Sequence, residues 1–122
     1  MLNAINWFEI PAVDFDRAVD FYSKVLKQPV RKEVFMGVPH GIFQSEDPGV
    51  GGAIVKNDVQ PSTAGVLPYL NAGNDLAGIV SRVEAAGGRV VLPVTSIGPM
   101  GTIAVFIDSE GNRMGLHSEN QG

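Results

Sequence analysis

Cysteine is missing altogether from the 122 residues. Its absence removes disulfides, thiolate-bound zinc, iron–sulfur clusters and a thiol nucleophile together. Positive charge is also scarce: nine Lys and Arg face thirteen Asp and Glu, for a net charge of −4. The nine are scattered from Arg17 to Arg113 and form no stripe along which phosphates could run, so nucleic acid is not an expected partner. No apolar run approaches the roughly 20 residues of a membrane span. The first four residues offer no charged segment ahead of an apolar stretch, so a secretory leader is not expected and a cytoplasmic protein is. Histidine occurs twice, as His40 and His117. Gly49-Val50-Gly51-Gly52 lacks the Lys-Ser/Thr of a phosphate-binding loop, and no serine sits in a nucleophile elbow with a third partner for a hydrolase triad.

What the chain does have is 44% hydrophobic residues against 18% charged ones. That balance favours a packed core over disorder, and the length suits one domain. Fifteen glycines and eight prolines imply tight turns between short elements. From Asp14 onward the apolar residues Phe15, Ala18, Val19, Tyr22, Val25 and Leu26 follow helical spacing, with Asp14 placed to cap the start. Sixty-one residues later the phase returns in Leu76, Ile79, Val80, Val83 and Ala86, with Asn74 or Asp75 as the cap and Gly87-Gly88 as the stop. An apolar run precedes each helix, at residues 5–10 and 66–72. Three strand-like runs follow each helix, at 30–35, 40–44 and 52–56 and again at 89–94, 102–107 and 112–117. The pattern predicts an α+β fold of two tandem βαβββ modules, about 3–57 and 66–118, joined by residues 58–65. Either half alone is too small for a stable core. Two curled sheets set together would enclose a cavity, the natural place for small-molecule chemistry.

Within this frame the motifs carry a family likeness. Asp14-Phe15-Asp16-Arg17-Ala18-Val19-Asp20-Phe21-Tyr22-Ser23-Lys24-Val25-Leu26 resembles the "RAxxFYxxVLG" segment of the vicinal oxygen chelate superfamily, which includes glyoxalase I, bleomycin-resistance proteins and extradiol dioxygenases. Phe106-Ile107-Asp108-Ser109-Glu110-Gly111-Asn112-Arg113-Met114-Gly115-Leu116 resembles its "DPDGN" turn and closing strand. Val50-Gly51-Gly52-Ala53-Ile54 resembles the strand that ends the first module. The resemblance implies metal ligands in the first and last strand of each module, where the metal acts as a Lewis acid. Carried over, those positions fall on Trp7, on Gly52 or Ala53, on Pro68 and on Gly115. None of these side chains can ligate a cation, so no metal and no cofactor are expected.

Strand alternation puts Trp7 and Glu9 on one face of the first strand, and Arg113, Gly115 and His117 on one face of the last. The resemblance makes these the cavity faces. Trp7 could stack on a planar ligand or fill the space that a metal takes in relatives. Glu9 and His117 are the two candidates for acid–base work, if the modules bring them together; otherwise they are a rim carboxylate and a strand-end histidine. His40 reads as a solvated histidine, Met36 and Met100 as loop packing, and Tyr69 as facing the second helix. The expected ligand-binding residues are therefore Trp7, Glu9, Gly115 and His117. The expected function is metal-free binding of a small apolar or aromatic molecule, as in the bleomycin-resistance members. The alternative is a lyase, isomerase or oxygenase with an atypical or absent metal site. A homodimer is expected, because open sheet edges need cover.

Overall fold

The computed structural model describes residues 4–46, 48–56 and 61–119. Asp47 of one expected turn, residues 57–60 of the connecting segment and the first three residues lie outside that range. The element order is β1 (Trp7–Ala12), α1 (Phe15–Leu26), β2 (Arg31–Phe35), β3 (Val38–Ile42), β4 (Gly51–Lys56), then β5 (Tyr69–Asn71), α2 (Leu76–Val83), β6 (Arg89–Ser96), β7 (Thr102–Ile107) and β8 (Arg113–Ser118). This is βαβββ twice. The first sheet runs β1-β4-β3-β2 and the second β5-β8-β7-β6. In each module the first and last strands pair in parallel, and the remaining neighbours are antiparallel.

Asp14 starts α1 as expected: its side chain accepts a hydrogen bond from the Arg17 N–H at 3.1 Å. Asp16 in the first turn and Lys24 in the last suit the helix dipole. The start of α2 differs from expectation. Asp75 stands at its N-cap without a side-chain cap bond, and its carboxylate takes the Arg82 guanidinium at 2.7 Å instead.

Both helices and the inner faces of both sheets share one hydrophobic core. Ile10, Ala12, Phe43 and Ile54 enter it from the first sheet, and Ala104, Phe106, Met114 and Leu116 from the second. The expected core residues Val19, Tyr22, Ile79 and Val83 are buried, while Phe15 and Val80 pack half-buried at its margin. Phe21 was not on the expected helical face, yet it is fully buried. Its ring lies 5.0 Å from Tyr22 and 6.0 Å from Phe106 of the second sheet. A helix covered by its own sheet and by the neighbouring module needs a wider apolar stripe than a helix covered on one side.

Because both sheets turn their inner faces to this shared core, their other faces look outward. Each β1-type strand stands at the edge of its own sheet.

Candidate functional site

On the outer face of the first sheet, the Cα partners Trp7–Gly51 and Glu9–Ala53 lie side by side across β1 and β4. A β-carbon on Gly51 would stand 3.5 Å from the Trp7 ring, an ordinary contact distance, so the indole lies beside Gly51; the crowding there comes from Ser45 Oγ. Trp7 remains 45% exposed, and its Nε1–H donates to Glu9 Oε2 at 3.4 Å. Farther along this face His40 is half-buried. Its Nδ1–H donates to the Val38 carbonyl at 2.9 Å, and its ring meets Phe35 edge-on at 5.1 Å. His40 is thus held by its own hairpin rather than left in solvent.

The second sheet repeats the arrangement. Tyr69 is the Cα partner of Gly115, and its ring covers Gly115 so closely that a β-carbon there would collide with it. Tyr69 is 46% exposed, so it does not face α2. Leu70 takes that side and packs on the core. The counterpart of Trp7 is therefore Tyr69 and not Pro68, whose carbonyl accepts the Gly115 N–H at 2.8 Å. His117 pairs with Asn71 across β5 and β8, and its Nε2–H donates to the Met100 carbonyl at 2.7 Å. Tyr69, Asn71, Ile97, Met100, Ile103 and His117 line a cleft of about 570 Å³, with Glu119 also on its wall. Arg113 on the same strand donates from Nη2 to the Gly65 carbonyl at 3.2 Å.

The expected residues are thus sorted onto two surfaces. Trp7 and Glu9 belong to the first outer face, Gly115 and His117 to the second, and no hydrogen bond among the described residues joins Glu9 to His117. Met36 and Met100 are not packed in loops: they are 99% and 68% exposed. Asn71 and Met100 were not foreseen as cleft residues, because their placement depends on the β5–β8 register and on the turn before β7.

The groups with displaced pKa values lie away from these outer faces, where the modules join. Tyr22 is buried and donates to Asp108 Oδ2 at 2.7 Å. Burial, and then the adjacent Asp108 carboxylate, push its phenol well above the ordinary value, so it is a fixed donor. Burial pushes the Glu110 carboxyl up, but hydrogen bonds from Arg17, the Asp14 N–H and Ser109 outweigh this and hold it below the ordinary value. The hydrogen bond to Glu110 and the charge of that carboxylate push Arg17 up. This network ties the β7–β8 turn to the start of α1.

The likeness to known proteins agrees with this architecture. Residues 4–116 match the model of the Glyoxalase/Bleomycin resistance protein/Dioxygenase superfamily, and the chain belongs to that superfamily. It is 31% identical to a glyoxylase-like domain-containing protein of Didymella fabae, with 88% of each chain covered. It superposes on a glyoxalase/bleomycin resistance protein from Albidiferax ferrireducens with a TM-score of 0.76 at 13% identity, covering 95% of this chain and 98% of the other. Glyoxalase I from Zea mays matches with a TM-score of 0.68 at 19% identity, over 93% of this chain and 45% of that one. At such identities the structural matches establish the fold alone.

The strand positions where the resemblance places metal ligands carry Trp7, Gly52 or Ala53, Gly115, and Tyr69 in place of the expected Pro68. None has an imidazole or carboxylate. Among the described residues no three His, Cys, Asp or Glu side chains form a group that could hold a metal ion. This donor set does not fit a divalent cation. These faces offer ring stacking, apolar contact and hydrogen bonding, and they carry the Glu9 carboxylate and the His117 imidazole.

Proposed function

We propose that this protein binds a small apolar or aromatic molecule on its outer sheet faces, without a metal at the superfamily's ligand positions, as a bleomycin-resistance-like binder. The observation that carries the reading is Trp7, lying over Gly51 with 45% of its surface open. An exposed indole beside a glycine, with its N–H bonded to Glu9, offers a large rigid surface for a planar ligand at little cost in side-chain entropy. Tyr69 over Gly115 offers a second such surface. The outer faces look away from the shared core, so a second copy of the chain is the proposed cover that turns them into a cavity.

Aromatic compounds should quench Trp7 fluorescence and raise the melting temperature. Trp7→Ala should weaken that binding severalfold with little loss of fold, since the side chain is outside the core. Adding Ni, Zn, Fe or Mn should leave the melting temperature unchanged. A metal binding only the native state would add about 2.7 kcal/mol at a hundredfold excess over its dissociation constant. Tight binding of one equivalent of metal, abolished by Glu9→Gln or His117→Ala, would replace this reading with a metalloenzyme.

A further inference from the structure

The cleft on the second module holds two polar groups that stacking does not use. A carbonyl oxygen can only accept, so the 2.7 Å contact between His117 Nε2 and the Met100 carbonyl places the imidazole proton on Nε2. In the neutral ring Nδ1 then carries a lone pair. The neighbouring Asn71 has its Oδ1 occupied by the Gly73 N–H at 2.9 Å, which fixes the amide orientation and leaves its NH₂ as a donor. Asn71 and His117 are Cα partners on parallel strands, about 4.8 Å apart as adjacent strands are. Asn71 and His117 are thus neighbours in the lining of a cleft whose other walls are Tyr69, Ile97, Met100 and Ile103. The carboxylate of Glu119 on the same wall disfavours an anionic ligand.

We propose that this cleft takes a neutral phenol. Its O–H donates to His117 Nδ1, its oxygen accepts from the Asn71 amide, and its ring lies on the apolar wall. The proposal rests on the small-molecule reading above and adds the ligand class. Nitrogen-15 spectra of the full chain at mildly alkaline pH should show His117 protonated on Nε2 and bare on Nδ1. Titration with 4-chlorophenol should move the Nδ1 resonance. It should also bind about tenfold more tightly than 4-chloroanisole, which keeps the ring and loses the donor. Asn71→Asp retains the acceptor for Gly73 and removes the amide donor, and it should weaken both compounds severalfold, since either oxygen accepts from that amide. His117→Leu removes the acceptor for the O–H and should erase most of the phenol–anisole preference; if it does not fold, Asn71→Asp and the phenol–anisole comparison in the wild type decide. A proton on Nδ1, equal binding of the two compounds, or an unmoved His117 overturns the proposal. Trp7 quenching reports separately: quenching by aromatics with His117 silent ends the phenol cleft and leaves the stacking reading, and the reverse pattern ends the stacking reading alone.

Discussion

Asp108, 4% exposed, accepts four hydrogen bonds. Oδ1 takes the Glu110 and Asn112 backbone N–H groups at 2.9 Å each, and Oδ2 takes Tyr22 and the Asn112 amide at 2.7 and 3.0 Å. The Asn112 amide also donates to the Pro11 carbonyl at 2.9 Å, so one turn gathers groups from both modules. Asp108→Ala strands several buried donors at about 1–3 kcal/mol each, and a loss of roughly 3 kcal/mol or more is expected in urea denaturation. Tyr22→Phe removes one donor while Asn112 still occupies Oδ2, so about 1 kcal/mol is expected. Equal losses from the two variants would contradict the network. Glu110 adds a pH dependence. Its side chain is inaccessible to solvent, and its folded pKa lies below the ordinary 4.5. A depressed carboxylate stabilises the fold fully above its unfolded pKa and loses that contribution as pH falls through the folded value. The stability gap between wild type and Glu110→Gln should therefore be widest near neutrality and close as pH falls below 4.5 through the folded value. A gap independent of pH would show that Glu110 acts by packing alone.

At the scale of elements, the β2–β3 hairpin turns through Met36 and Gly37, with φ of 51° and 74°. Two successive positive φ values are what a tight hairpin with right-handed strand twist requires, and Asn-Gly is the sequence that meets the demand best. Met36 is 99% exposed and gains nothing from packing in return for its strained backbone. Met36→Asn should raise stability by about 0.5–1 kcal/mol, read as a shift in the denaturation midpoint; a fall would show that the methionine has a contact of its own. The Tyr69 orientation has an equally local origin. Eight positions separate Trp7 from the first residue of α1, but seven separate Tyr69 from the first residue of α2. Aligning the modules by their helices therefore shifts the strand by one residue, and a one-residue shift exchanges its faces.

For the whole molecule, the outward sheet faces matter most. They carry Trp7, Phe35 and Tyr69, each close to half exposed, and these are the surfaces on which the proposed ligand and second copy would sit. The proposed second copy should give a scattering mass of twice 12.9 kDa; a monomer at every concentration would remove it. Among the described residues no helix is long and apolar enough to cross a membrane.

The sequence by itself determined the two βαβββ halves, the Asp14 cap and most of the helical core faces. These are properties of spacing over a few residues, and of side-chain chemistry, which no fold alters. Only the tertiary structure decided that Phe21 is buried, that Tyr69 and not Leu70 lies on the outer face, and that Tyr22 meets Asp108 from 86 residues away. It also decided that Trp7 and Glu9 stand on one surface and His117 on another. Each of these depends on how one module packs against the other or on a strand register. Such choices are settled by contacts between distant segments, and the hydrophobic pattern within a segment does not encode them.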